Sequence, residues 1–481
     1  MIIVNIPKNL SRPYRHISLM VMTLFRSLKR FQNENDALAA TTARKRLAML
    51  FDEGTYNELD RFMKHDDTEC EVVAAYGEVN GMNVYAFSQS IDINKGAMGK
   101  VQASKILQLY DMAAKTGTPV VGFFDSNGAH VDEGIQALEA YGSLIKAAGN
   151  LSGVVPQISV VAGPCIGSAA VLATVADVLI VEKEAEFYVA SPAFSDKNDD
   201  DTDTVYLAGK NGTASIVAES DKDAVDKVIE LLSFLPSNNL SVPLYAEPVA
   251  PKGGDDALDM VIDEGSFLEI NKLSNRSIKT GFARIGGVPV GIIKTESSKH
   301  EGYFSVLAAR KAARFVRLCD AYSIPIINFV DSLGIDASES YRRAGDVRSL
   351  SVLTLAYSEA TTAKITLVTG NAVSSAYIAF VSGAANPDMV LAWPDAVIGT
   401  LEPMTAVQLL YKDRLEAGES REELEKEYAK EQCSPFNAAA YGYVDDIIDP
   451  AATYEKIVRA LDLLSSKRVS KMNKKHTNIP L

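Results

Sequence analysis

At 481 residues the chain exceeds what one hydrophobic core usually organises, and the ordinary domain size of roughly 150 residues suggests two or three units. Its 47% hydrophobic and 23% charged residues are those of a soluble globular protein, and the net charge of −14 argues against general binding to a nucleic-acid backbone. Cys70, Cys165, Cys319 and Cys433 form no CxxC pair for zinc and no dense disulfide framework, so they read as belonging to a reducing, cytoplasmic setting.

From the N-terminus, residues 17–25, ISLMVMTLF, are apolar and flanked by Arg12, Arg15, Arg26, Lys29 and Arg30. That run is short of the about 20 residues a membrane-spanning helix needs, and the RSLKR that follows lacks the small residues of a cleavage site. Residues 1–40 therefore read as a helical N-terminal extension packed on the body or on a partner, with a targeting or membrane-surface segment as the alternative.

LFDEGTYNEL at residues 50–59 is answered by VIDEGSFLEI at residues 261–270, each with Asp-Glu-Gly, a hydroxyl, an aromatic, then Glu and an aliphatic. A chance match drifts out of register along the chain, whereas a duplication stays in step. GEVNGMNVYAF and ARIGGVPVGII follow with Gly81 falling on Gly287, and both read as two short strands around a glycine-containing turn. KILQLYDMAAKTGTPVVGFFDSNG and KAARFVRLCDAYSIPIINFVDSLG then set Pro119, Asp125, Ser126 and Gly128 on Pro325, Asp331, Ser332 and Gly334. Each predicts an amphipathic helix, a turn ending in proline, a buried strand and a polar corner. Finally PQISVVAGPCIGSAAVLATVADVLIV meets AKITLVTGNAVSSAYIAF, pairing Gly163, Gly167 and Ser168 with Gly370, Ser374 and Ser375. Strand, tight small-residue turn, helix and strand recur, which predicts two homologous α/β domains with crossover connections, residues 41–253 and 254–481, each opening on its own DEG hairpin or helix entry.

Between the copies, residues 194–253 read as an acidic loop (SDKNDDDTD, solvent-exposed rather than metal-binding), one helix (DAVDKVIELLSFLP) and a proline-punctuated linker. Beyond Thr405, AVQLLYKDRLEAGESREELEKEYAK reads as helix and SSKRVSKMNKKHTNIPL as a basic, extended end.

The chemistry points to the small-residue turns. A backbone turning sharply out of a strand into a helix aims consecutive N–H groups at one point, at the positive end of the helix dipole, which suits an oxygen acquiring negative charge. An enolate formed from a thioester requires such donors, held rigidly. GPCIGSAA recurs as GNAVSSAY, while His16, His65, His130, His300 and His476 are scattered and no GxSxG, HExxH or Walker loop occurs. Asp125 and Asp331, each closing a strand, are expected to cap the following turn. Tyr377 reads as a packed aromatic, Cys165 as a buried small residue, and His130 as a polar surface residue with a functional role as the alternative. No metal site is read.

ARKRLAMLFDEGTYNELD, VVGFFDSNGAHVDEG, SGVVPQISVVAGPCIGSAA, KAARFVRLCDAYSIPIINFVDSLG, AWPDAVIG, NAAAYGYVDDIIDPAATY and the terminal KKHTNIPL, in this order, resemble the carboxyltransferase subunits of biotin-dependent acyl-CoA carboxylases and the related decarboxylases, of the crotonase superfamily. The resemblance implies two tandem crotonase-like domains of the ββα superhelical type. It further implies reversible transfer of CO2 between N1 of biotin and the α-carbon of a coenzyme A thioester, with no protein base. By motif, the N–H groups of Gly167 and Ser168 would hold the thioester oxygen, and two among Ser374, Ser375 and Ala376 the biotin ureido oxygen. Arg44, Lys45 and Arg46 would hold CoA phosphates, with a solvated basic helix face as the alternative. The family works as a homo-oligomeric ring of dimers, a hexamer, or in hetero-oligomers. Its substrates sit where the first domain of one subunit meets the second domain of another. No Met-Lys-Met for biotin attachment and no ATP-binding segment occurs, so the biotin carrier and biotin carboxylase are expected on separate chains.

The chain departs from the family pattern where Ser168, Ser374 and Ser375 replace glycines and His130 replaces an arginine. Two other readings therefore stay open: the α subunit of a decarboxylase coupled to a sodium pump, and a catalytically silent scaffold paralogue. A hydratase fits poorly, because that chemistry needs paired carboxylates.

Overall fold

A computed structural model describes residues 12–190 and 204–480, and the side chains of residues 20 and 23 onward within these. The acidic SDKNDDDTD loop lies outside them. The first half builds one eight-stranded sheet from β1 (Asn57–Leu59), β2 (Val72–Val79), β3 (Met82–Gln89), β4 (Val120–Ser126), β5 (Gln157–Ile166), β6 (Val178–Glu182), β7 (Phe187–Tyr188) and β8 (Ile216–Ala218). Its order is β1-β2-β3-β4-β5-β6-β8, with β7 also beside β5. The pairs β1/β2 and β2/β3 are antiparallel, and every later pair is parallel.

The second half repeats this plan strand for strand. Its members are β9 (Leu268–Ile270), β10 (Ile278–Ile285), β11 (Val288–Thr295), β12 (Ile326–Ser332), β13 (Lys364–Val373), β14 (Met389–Ala392), β15 (Val397–Gly399) and β16 (Asp446–Ile447). They run β9-β10-β11-β12-β13-β14-β16, with β15 beside β13. Strand-to-strand crossovers require helices on the sheet, and the sequence supplies them: α3 (Lys100–Thr116), α4 (Ile135–Leu151) and α5 (Ser168–Thr174) in one half, α8 (Val306–Ala321), α10 (Asp346–Glu359) and α11 (Ser375–Phe380) in the other.

The DEG aspartates explain their own repetition. Asp52 follows α2 (Thr42–Leu50) and accepts the Asn80 and Gly81 N–H groups at 3.1 and 2.9 Å, tying down the β2–β3 turn. Asp263 does the same for Gly286 and Gly287, both at 2.8 Å, in the β10–β11 turn.

The two halves share a core. Leu47, Phe123 and Phe234 of the first pack in one buried cluster with Phe282, Phe315 and Tyr322 of the second. Phe234, the last residue of α7 (Asp221–Phe234), stacks on Phe282 with centroids 5.8 Å apart. Between the halves, the expected single helix is joined by α6 (Thr204–Asn211), which shares its span with buried Val205 and Ala208. The C-terminal helical stretch is broken into α12 (Pro403–Leu410), α13 (Lys412–Glu416) and α14 (Arg421–Gln432), and the basic end is extended. At the other end, α1 (Arg12–Asp36) is a helix that leaves Met20, Leu24, Phe25, Leu28 and Phe31 exposed. No described helix is long and apolar enough to cross a membrane.

Candidate active site: two strand-to-helix bends

Gly167 leaves β5 with φ 64° and ψ −129°, and α5 begins at Ser168. Ser374 leaves β13 with φ 52° and ψ −119°, and α11 begins at Ser375. The two bends are thus the same backbone conformation, in a region glycine enters freely and a residue with a Cβ enters at a cost. Serine at 374 accepts that conformation rather than reshaping the turn.

The N–H groups divide into committed and open donors. Gly167 donates to the Tyr188 carbonyl at 3.0 Å, continuing the β5–β7 pairing, and Ser374 donates to Gly399 at 3.0 Å, continuing β13–β15. Of the expected donors, Gly167 and Ser374 therefore already have acceptors. Ser168 in the first bend, and Ser375 and Ala376 in the second, open their helices, where an N–H has no intrahelical acceptor. The Ser375 hydroxyl accepts from Ile335 N–H at 2.7 Å and so holds the second bend against the DSLGI corner.

The second bend opens into a cavity of about 700 Å³. Ser374, Ser375, Tyr377 and Ile378 form one wall, and Tyr441 and Tyr443, just past α15 (Pro435–Ala440), form another. Tyr377 is half-buried and lines this space, and burial, reinforced by Tyr443, raises its phenol's pKa. Sequence reasoning gave the YGY segment no place at the site. Its signal was its place in NAAAYGYVDDIIDPAATY, one of the stretches that carry the family resemblance.

Around the bends, several side chains do other work than expected. Asp125 does not cap its turn: the Ser126 hydroxyl accepts the Gly128 N–H at 3.0 Å, and Ser332 serves Gly334 at 3.2 Å. Asp125 instead pairs with Arg46 at 2.6 Å, and Asp331 accepts the Asn371 backbone N–H at 2.7 Å. A Cβ on Gly163 would overlap the Asp125 carboxylate, so this glycine is the condition for the ion pair. Arg46 also donates to Asp221 at 2.8 Å and to the Ala162 carbonyl at 3.0 Å. Arg44 donates to Glu58 at 2.7 Å and pairs with Glu69 at 2.6 Å. Both arginines are thus internal ties rather than free phosphate ligands, and Lys45 alone of the three is exposed. Cys165 is fully buried, which pushes its thiol up and leaves it inert. His130 is not a solvated surface group, because it stands half-buried beside Glu71 and His65.

Residues 37–479 match the family model described as carboxyl transferase domain. The chain belongs to this family. It is 35% identical to the methylmalonyl-CoA decarboxylase subunit alpha of Propionigenium modestum, over 94% of this chain and 96% of that one. It is likewise 35% identical to the propionyl-CoA carboxylase beta chain of Saccharopolyspora erythraea, over 92% and 90%. Among solved structures, a transcarboxylase 12S hexamer with methylmalonyl-coenzyme A and methylmalonic acid bound superposes with a TM-score of 0.86 at 31% identity, covering 98% of this chain and 100% of that one. The fold is therefore the crotonase-like carboxyltransferase fold, and the chain is an acyl-CoA carboxyltransferase of the biotin-dependent acyl-CoA carboxylases.

Proposed function

We propose that this chain is the β-type carboxyltransferase subunit of a cytoplasmic acyl-CoA carboxylase, its biotin carried by a partner chain that is charged by a separate biotin carboxylase. What carries the reading is the duplicated bend, with open N–H groups at the start of α5 and α11 and a cavity beside the second. The Ser168 N–H, with its neighbours in the first turn of α5, holds the thioester oxygen while the α-carbon is an enolate. Preorganised donors of this kind are the largest single contribution to such a step. Ser375 and Ala376 N–H groups, beside isoleucine and tyrosine walls, fit a bicyclic urea whose oxygen needs donors. Biotin, when bound, supplies the nitrogen that carries CO2. Ser374 and Gly167 set the bends by their backbone conformation, and Lys45 is left to meet a CoA phosphate.

Exposed apolar side chains occur in both halves: Val131, Ile135 and Val171 in the first, Ile378, Phe436 and Tyr441 in the second. We infer that they pair between copies, first half against second, in a ring of dimers. The 35% identity to a decarboxylase subunit supports the reverse direction equally, and the same site serves it.

The test removes one N–H. Proline is tolerated at the first position of a helix, so Ser168→Pro deletes the donor with little cost to α5, while Ser168→Ala keeps it. With carboxylated biotin carrier and a panel of acyl-CoAs, the proline variant is expected to lose about 100-fold in kcat and the alanine variant little. A wild-type protein that labels no acyl-CoA from loaded carrier, in either direction, identifies the silent scaffold instead.

A further inference from the structure

Away from the bends, His65, Glu71 and His130 each bring one ligating atom to a common point, all within 4.8 Å of one another. They come from three places: a short hairpin, the residue before β2, and the corner after β4. His65 Nδ1 hydrogen-bonds the Glu71 oxygen Oε1 at 3.2 Å, and His130 Nε2 lies 3.3 Å from the same oxygen. A tetrahedral zinc ion with bonds of about 2.0–2.1 Å separates its ligand atoms by about 3.3 Å. The side chain of Glu71 is fully buried, and His130 Nε2 is buried without any hydrogen-bond partner. Its distance to Glu71 thus lacks hydrogen-bond alignment, leaving the nitrogen directed into the cluster with nothing to bind.

The surroundings have the arrangement of an outer coordination shell. The far nitrogen of His65, Nε2, stands 3.5 Å from Glu133 Oε1, in place to orient the ring once an ion displaces the Nδ1 proton. Asn94 donates at 2.6 Å to Glu71 Oε1, the oxygen the histidines approach, and Gln102 donates to the other oxygen, so the carboxylate is held in place. Burial works against the Glu71 charge, but these donors keep its carboxyl below the ordinary range, so it is an anion at neutral pH.

The fold does not require this cluster. The Ser90 N–H donates to the Glu71 carbonyl as Glu296 donates to Ser277, and His130 N–H donates to Met98 as Asp336 donates to Phe304. Glu71 and His130 therefore correspond to Ser277 and Asp336, and the second half completes the same strands without the two ligating side chains. A buried carboxylate with two imidazoles, added to one copy of a duplicated scaffold, calls for a separate reason.

We propose that His65, Glu71 and His130 bind one divalent transition ion of the zinc class, with a fourth position left for water. Two imidazoles and a carboxylate suit that class and not calcium or magnesium. The ion links the hairpin, β2 and the corner that ends at His130, a structural tie in the first half.

Full-chain protein, stripped with a chelator and dialysed, is titrated with Zn(II) calorimetrically and with Co(II) by visible absorption. One ion per chain is expected, with the visible bands of four-coordinate Co(II) and a rise in unfolding temperature. His65→Ala and His130→Ala each weaken binding by about tenfold or more, while His300→Ala, in the other half, leaves it unchanged. Equal affinity in wild type and both histidine variants marks adventitious binding and overturns the proposal, as does no saturable binding to the wild type. Should a variant fail to fold, the wild-type Co(II) spectrum decides alone: six-coordinate, weak bands overturn it. None of these measurements depends on carboxyltransferase activity.

Discussion

Ser374 holds φ 52° and ψ −119°, where its counterpart Gly167 holds nearly the same angles without a Cβ. A non-glycine residue in that region costs about 1–3 kcal/mol, and glycine's greater freedom in the unfolded chain takes back roughly 0.5–1. Ser374→Gly is therefore expected to stabilise the protein by about 1 kcal/mol, seen as a higher denaturant midpoint at unchanged slope; an unchanged or lower midpoint means the bend is not strained. Arg46 presents the opposite case. Its guanidinium is buried against Asp125, so Arg46→Ala leaves a carboxylate in the core without its partner. A loss of about 3–5 kcal/mol is expected, with part recovered in Arg46→Ala combined with Asp125→Asn. From the sequence, Arg44, Lys45 and Arg46 read as CoA-phosphate ligands or as a solvated basic helix face; nothing in it says that Arg46 turns inward, because its partners are far along the chain at 125 and 221.

The DEG elements carry the repeat's meaning. Asp52 is half-exposed where it caps the β2–β3 turn, whereas Asp263 is buried and accepts from Gly286 and Gly287. Water can replace the first carboxylate and not the second. Asp263→Ala should thus cost about 3 kcal/mol and Asp52→Ala about 1, compared by chemical denaturation; equal losses would remove the distinction. That the element recurs was readable from residues 50–59 and 261–270, as were the strands, the helices after Gly167 and Ser374, and the glycine turns. The aspartate's task was not, since its acceptor role is set by backbone about 25 residues away. The extra α6 and the breaks among α12, α13 and α14 were equally hidden, because they lie outside the duplicated plan and their ends follow from packing rather than periodicity. The tyrosine wall of the cavity beside Ser375, Tyr441 and Tyr443, belongs to that same unrepeated region.

One buried cluster runs through both halves, beside a second cluster confined to the first half and a third confined to the second. Polar ties reinforce the seam: the single proton of the Tyr322 hydroxyl faces both the Asp177 carboxylate, 2.6 Å away, and the Val155 carbonyl, 2.8 Å away. Arg314 reaches the Ala176 carbonyl at 3.3 Å, and Asn271 N–H donates to Ser215 at 2.7 Å. A duplicated chain whose copies had merely been strung together would melt in two steps, each half at its own temperature. With the core continuous, exposing one half strips apolar cover from the other, and the halves must lose their structure together. Calorimetry on the intact chain is expected to give one transition rather than two. Tyr322→Phe should lower that single transition by about 2 kcal/mol, the value of a hydrogen bond to a charged group, without dividing it. Two resolved peaks in the wild type, or a split produced by Tyr322→Phe, would mean that the seam is an interface between independent domains rather than part of one core.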